Sequence, residues 1–506
     1  MTVKETFEAE KSQRTAEEFA ADIIYSEPST SWYRSLFGNS KEGLKKFYYI
    51  SSKNSAVRFL QDIIILLLLA GLLYYGAIQV MFRPDTDAVR YQCYSVAFWQ
   101  GWSGFRNLPL GLCTFMIYSG NELMATSQRE LLYLMQQRGL PAGLIHFVAA
   151  QSLNQPYHSL PYEYPWPALL PFSLGLVAPA QWYQVAFAIG MLLVAGCIYF
   201  VLQYWRSRGT ALAYALYLVA GGWATVAARF DIVPAALTLF AMVCAVHKRW
   251  NWAFALLALA AVLKVYPAIL LVPFALALQR GTQGKWYRWR RWLPIGIFVG
   301  ICILAVVISL LLSVVGTLVP LGYFDYRPIE IESLSASMLW IFSLLGKTPL
   351  GYAGSFGSLN ALSPLASNIT SRMMVLLVVG LLYTWWLQWR GRIDFAMACL
   401  LTLLIVIVTG KVFSPQYLLW VIPLVAYVGQ SNRWWLLFWT LIGLLTSWIY
   451  PYIFHMIPHL YTPLFYPVTA ARNFLLLGFI LSVLIVVSCR RVERPSPVFT
   501  PSIFPS

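Results

Sequence analysis

Few residues in this chain are equipped for acid–base or ionic chemistry, and they are grouped. Twelve acidic residues follow residue 60. Asp62, Asp394 and Glu493 belong with basic clusters, which leaves Asp85, Asp87, Glu122, Glu130, Glu163, Asp231, Asp325, Glu330 and Glu332. Asp85-Thr86-Asp87 sets two carboxylates at i and i+2. At that spacing they can share a cation, or one can deprotonate a hydroxyl while the other orients it. The plainer reading is a loop whose carboxylates cap a helix starting at Ala88. Three cations stand at junctions between apolar runs: Arg229 in Arg229-Phe230-Asp231, Lys264 in Lys264-Val265-Tyr266-Pro267, and Lys411 in Gly410-Lys411-Val412-Phe413-Ser414-Pro415-Gln416-Tyr417. A single such cation can snorkel to lipid phosphates. Three of them favour convergence on one anion such as a phosphate, whose oxygens suit charge-assisted Arg and Lys contacts. In Tyr326-Arg327-Pro328-Ile329-Glu330-Ile331-Glu332-Ser333, Arg327 and Glu330 are either a loop salt pair or substrate contacts.

The elements that must position these groups are apolar. Of 506 residues, 59% are hydrophobic, 16% aromatic and 11% charged, against about 25% charged in a soluble domain. Apolar runs such as Ile63–Val80, Phe254–Val262, Ile295–Leu312, Met373–Leu382 and Phe474–Val487 recur along the chain, each approaching the roughly 20 residues of a bilayer span or pairing with a neighbour to do so. The expected fold class is an all-α polytopic membrane bundle, which excludes a soluble enzyme, a secreted protein and a disordered scaffold. Spans are predicted near residues 59–82, 183–204, 209–228, 232–247, 251–264, 267–279, 293–319, 372–389, 394–410, 416–429, 434–451 and 472–489, about 12 in all. They form one domain over 59–489. A polar tail over 1–58, with a helix around Lys11–Ile24, precedes it, and a tail over 490–506 follows. Residues 83–180 form a large outer loop of interfacial helices, including a Pro-interrupted piece at Pro161–Pro179. Leu334–Leu345 is too short to cross and reads as re-entrant or interfacial.

The formal charge of +16 is topological. Arg206 and Arg208, Lys248 and Arg249, Arg280 through Arg291, Arg390 and Arg392, Arg433, and Arg490 through Arg494 recur in short loops. By the positive-inside rule these loops and both termini face the cytoplasm, and the three junction cations face outward. No nucleic-acid partner is expected. The seven cysteines have no metal-type spacing; most lie in apolar runs and read as small hydrophobes, and their odd count leaves the redox compartment open. The polar first 40 residues and the length of the first apolar run argue against a cleaved signal peptide. His146, His158, His455 and His459 lack ligand spacing, so no metal site is expected. The 30 Tyr and 21 Trp read as an interfacial belt, from which stacking on a sugar cannot be separated. Asn368-Ile369-Thr370 matches a glycosylation acceptor in an outer loop.

Taken together, the acidic pair after the first span, Tyr162-Glu163-Tyr164-Pro165, Arg229-Phe230-Asp231-Ile232-Val233-Pro234, Lys264-Val265-Tyr266-Pro267 and Lys411-Val412-Phe413-Ser414-Pro415-Gln416-Tyr417 resemble the membrane-embedded GT-C glycosyltransferases. Family 87 and the mannosyltransferase that starts GPI-anchor assembly are the nearer likeness. The segments occur in the family's order over roughly residues 60–490; Pro165-Trp166-Pro167 stands where a Pro-Pro-Leu type of run is more usual. The resemblance implies an inverting transferase that takes a hexose, often mannose, from a polyprenyl-phosphate donor to a lipid or glycolipid acceptor outside the cytoplasm. On it, Asp85 is the base with Asp87 its rival, and Arg229, Lys264 and Lys411 meet the donor phosphate. Glu163, Tyr164, Asp231, Tyr266, Gln416, Arg327 and Glu330 contact substrate. A divalent cation is compatible with Asp85 and Asp87, but a monophosphate donor does not require one, so no obligatory cofactor is expected. Membrane lipids are the remaining partners, and a bacterial plasma membrane is favoured over the endoplasmic reticulum. The competing classes are a lipid-linked sugar flippase or transporter and an O-antigen-type ligase or polymerase. A transporter would carry polar groups through mid-helix and often repeated halves, and a ligase a large outer loop late in the chain.

Overall fold

Helices begin where a short polar side chain can take up an otherwise orphaned backbone donor. Thr86, Ser207, Ser313, Ser333, Asp394 and Asn432 each accept a hydrogen bond from the N–H two or three residues on. The computed structural model describes residues 55–82, 86–116, 121–152, 154–281, 288–454 and 464–489. Residues 1–54 of the tail predicted over 1–58, with the helix at Lys11–Ile24, and the tail over 490–506 lie outside the described residues, as do Asp85, His455 and His459.

In chain order the helices are α1 (Ser55–Ile78), α2 (Asp87–Gln100), α3 (Asn121–Gln137), α4 (Ala142–Ala150), α5 (Leu169–Ser173), α6 (Tyr183–Trp205), α7 (Arg208–Gly222), α8 (Ile232–Val246), α9 (Trp250–Leu263), α10 (Leu271–Gly281), α11 (Trp289–Leu312) and α12 (Val314–Tyr326). The strand β1 (Ile329–Glu330) and α13 (Leu334–Leu344) follow, then a hairpin of β2 (Gly351–Ser355) and β3 (Ser358–Leu362). The chain closes with α14 (Ala366–Trp389), α15 (Phe395–Thr409), α16 (Tyr417–Gly429), α17 (Arg433–Ser447) and α18 (Phe465–Cys489).

The chain is an integral, multi-pass membrane protein built almost wholly of helices. Among the described residues, six helices are long and apolar enough to cross a membrane: Phe59–Ile78, Ala180–Trp205, α11, α14, Arg433–Ile453 and α18. The other six predicted segments are shorter helices, as their predicted ranges of under 20 residues, apart from 209–228, already have them. Their shortness has a physical reason in α15 and α16, where nearly every residue is buried. A helix enclosed by protein satisfies its ends against protein and need not match the bilayer. The predicted 293–319 span is corrected. It breaks at Ser313, which is extended (φ −160°, ψ 114°) and caps α12 by accepting from the Gly316 N–H at 3.0 Å. Asn368-Ile369-Thr370 lies inside α14 rather than in a loop, and the Thr370 hydroxyl donates to the Ala366 carbonyl at 2.9 Å.

The bundle has two chemically distinct ends. At one, the residues of the basic clusters meet. Arg208 pairs with buried Asp62 at 2.9 Å, Arg280 donates to the Gln388 carbonyl at 2.6 Å, and Arg392 donates to the Ser488 carbonyl at 2.8 Å. The other end carries α2 to α5, the α12–α13 connection and the sheet. There β3 is central, pairing antiparallel with β1 (Glu330 opposite Asn360) and with β2 (Ser355 opposite Ser358). The two-residue tip Phe356-Gly357 has positive φ at both positions (54° and 66°), the backbone a tight hairpin turn requires. Cys93 of α2 and Cys113 form a disulfide, which sets these two apart from the cysteines that act as small hydrophobes.

Helices α7 and α17 cross where Gly221 meets Gly443. A Cβ on Gly443 would lie 2.8 Å from the Gly221 nitrogen, a backbone atom that cannot rotate away. Gly443→Val is expected to cost about 1–3 kcal/mol by overpacking, read as a lower unfolding temperature in detergent. Val at Gly478, whose Cβ would meet nothing within 4 Å, should leave it unchanged.

Candidate active site

Helix α2 starts the site. With Thr86 as its cap, Asp87 and Arg90 stand three residues apart on its first turn and so project on one side. Asp87 pairs with Arg229, from the turn between α7 and α8, and Arg90 pairs with Glu163 at 2.9 Å. Burial pushes the Glu163 carboxyl above its ordinary range, while the Arg90 guanidinium pulls it down. Lys264 follows α9 in extended conformation (φ −154°), which turns its side chain away from the helix axis. Its Nζ reaches Asp231 Oδ1 at 2.5 Å and lies 5.1 to 5.7 Å from the centroids of the Phe230, Trp420 and Tyr164 rings. Those ring faces attract the cation further.

A second group of elements closes the opposite wall. The Glu330 N–H donates to the Lys411 carbonyl at 2.9 Å, and the Phe413 N–H donates to Glu330 Oε2 at 3.1 Å, so β1 is sewn to the α15–α16 junction. Behind β1 lies Arg472 of α18, fully buried. It pairs with Glu332 at 3.2 Å, donates to the Glu332 carbonyl at 2.6 Å, and stacks 4.0 Å from the centroid of Phe413. Asn473 donates to the same carbonyl at 3.0 Å. Desolvation raises both the Glu330 and Glu332 carboxyls above the usual range, Glu332 acting on Glu330 in the same direction and Arg472 opposing it.

Between these walls is a cavity of about 420 Å³. Asp87, Arg90, Glu163, Arg229 and Lys264 line one part of it. Arg327, Glu330, Glu332 and the hairpin tip Phe356-Gly357-Ser358 line another, and Ser414 through Tyr417, with Tyr450, complete it. Gly357 is seated against Arg90: a Cβ there would fall 2.5 Å from its guanidinium. Four carboxylates and four cations thus share one space at the end of the bundle remote from the basic clusters. The cations suit an anion, and the carboxylates suit the hydroxyls of a polar substrate.

Of the residues singled out in the sequence, Asp87, Glu163, Tyr164, Arg229, Lys264, Arg327, Glu330 and Gln416 border the cavity. Asp231, Tyr266 and Lys411 do not line it. Asp231 is 1% exposed and anchors Lys264 and Trp420 from behind, Tyr266 stacks on Trp420, and Lys411 meets β1 through its carbonyl. Asp85 lies outside the described residues. Three features were not singled out: Arg90, Arg472 and the hairpin. Arg472 had a signal, since a cation inside a membrane-length helix calls for a partner. Among the described residues, no three His, Cys, Asp or Glu side chains group to hold a metal ion.

Removing one member of the Arg472–Glu332 pair leaves a buried charge unmatched. Arg472→Met is expected to destabilise by about 3–5 kcal/mol, and the double variant Arg472→Met with Glu332→Gln to recover part of that loss. Thermal unfolding of the purified variants measures both; a double variant as unstable as the sum of the singles would show that the pair does not couple.

No protein-family model matches the chain, and no curated protein matches it. Among solved structures, the crystal structure of ArnT from Cupriavidus metallidurans in the apo state is similar to it at 13% identity, over 85% of this chain and 77% of that one. The TM-score is 0.37, a likeness too distant to bear on function.

Proposed function

We propose that the chain is an inverting membrane glycosyltransferase of the GT-C kind. It moves a hexose, with mannose the first candidate, from a polyprenyl-phosphate donor to a lipid-linked acceptor on the extracytoplasmic side. The observation that carries this reading is the convergence of Arg229, Lys264 and Arg327, from three separate connections, on one cavity that Asp87 also borders. A lipid-phosphate leaving group is anchored at membrane depth, where such cations would meet it. Two features support the side: the basic clusters gather at the opposite end, and the Cys93–Cys113 disulfide is at the cavity end, as an oxidising compartment favours.

In this reaction the acceptor hydroxyl loses its proton to Asp85 or Asp87 and attacks the anomeric carbon opposite the phosphate. The carbon–oxygen bond to phosphate breaks, and polyprenyl phosphate leaves with the electron pair. Cations fixed in advance stabilise the charge that grows on the leaving oxygen. The Arg229 pair with Asp87 fits a donor cation held ready, and leaves Asp85 the base by its position in the resembling motif.

Protein in nanodiscs, given a short-chain polyprenyl-phosphate-mannose and cell-envelope lipids, tests the reading by mass spectrometry of released polyprenyl phosphate. Asn at the true base, Asp85 or Asp87, should cut turnover by about 10²–10⁴-fold; full activity in both single variants would sink the assignment. Arg229→Gln and Lys264→Gln should each lower kcat/KM by about 100-fold or more. Chelation with EDTA should leave turnover unchanged, and its loss would put a divalent cation at the acidic pair. An intact donor with every lipid extract would favour a flippase, to be followed in liposomes.

A further inference from the structure

Three aromatic rings stand in one column beside the cavity. Tyr266 lies against Trp420 with centroids 4.0 Å apart and planes within 2°, and Trp420 lies against Tyr417 at 3.9 Å and 22°. Only the last ring reaches the cavity: Tyr266 and Trp420 are 9% and 5% exposed and do not line it, whereas Tyr417 is half-buried and borders the open space. The column cannot slide, because the Trp420 Nε1–H donates to Asp231 Oδ1 at 2.6 Å, and that same oxygen accepts from Lys264 Nζ at 2.5 Å. One buried carboxylate oxygen therefore fixes the distance between a cavity cation and an aromatic face. An ammonium has three donors, so Lys264 keeps donors beyond the one Asp231 takes.

We propose that Tyr417 is the platform on which the transferred sugar stacks, the apolar C–H face of the pyranose against the ring, with Lys264 at the adjoining phosphate. This rests on the donor reading above and adds to it the residue that selects for the sugar. A hexose carries hydroxyls at its rim and C–H groups on its face, so a ring that packs the face leaves the rim to charged neighbours. Arg327 and Glu330 line the same cavity as Tyr417. An aromatic ring backed by two others also cannot fold away when the cavity is empty, so no ordering cost is met on binding.

The test measures binding of two lipids to the full chain in nanodiscs: polyprenyl phosphate alone and polyprenyl-phosphate-mannose. Tyr417→Leu is expected to weaken the mannosyl lipid by about tenfold, the order of one lost ring contact, and to leave polyprenyl phosphate within about twofold. Tyr417→Phe keeps the column and should bind both as the parent does, which also controls for folding. Equal weakening of both lipids by Tyr417→Leu, or no weakening of either, overturns the platform while the donor reading stands. A parent protein that binds neither lipid overturns the donor reading and the platform with it.

Discussion

A buried charge must be matched where it lies, and at one end of this bundle four cations are matched by carboxylates from other elements. Arg90 meets Glu163, Arg229 meets Asp87, Lys264 meets Asp231 and Arg472 meets Glu332. Three of the pairs join elements far apart in the chain, while Lys264 and Asp231 close the two ends of the α8–α9 hairpin; an unmatched partner would be costly in so dry a setting. The cavity is the space these pairs enclose. Its walls are helix ends, but their separation is set by ionic contacts between turns and caps.

Matching also separates two roles that look alike in composition. Asp87, Arg229 and Lys264 are paired yet border the cavity, so a ligand can compete for or add to their contacts. Arg472 and Asp231 are sealed behind it, at 0% and 1% exposure. The first group can act on a substrate; the second keeps the first in place. Arg472 holds β1 through both the side chain and the carbonyl of Glu332, and β1 in turn carries Glu330 and pairs with the hairpin that reaches Arg90.

Much of this was readable from the sequence because charge is scarce in it. Arg229, Lys264 and Glu163 stand out against apolar surroundings, and scarcity makes each of them informative. Arg90 was not separable, since a basic residue on a mixed helix also fits an interfacial face; only the fold sets it beside Glu163. The hairpin was missed because its strands are short and half-buried, with Phe-Gly at the tip in place of the Asn-Gly or Asp-Gly that announces such turns. Tyr266 and Tyr417 carry equal weight as letters, and only the direction of the ring column tells which one meets the cavity. The bounds of α8, α9, α15 and α16 were legible to within a residue or two from the basic loops and the breaks between apolar runs, whereas their surroundings were not. Whether protein or lipid encloses a segment does not show in its letters, because an apolar residue serves both.

The enclosed helices α15 and α16 carry a consequence for how the protein sits in its host. A bilayer that thickens or thins presses on segments that touch lipid, and α11 and α14, with large apolar side chains exposed along their length, would absorb that by tilting. The junction between α15 and α16 is shielded from this adjustment by the protein around it. The spacing of its cavity-lining groups from Arg229 and Lys264 is therefore a property of the fold rather than of the membrane, so one sequence can keep one site geometry across bilayers of different thickness.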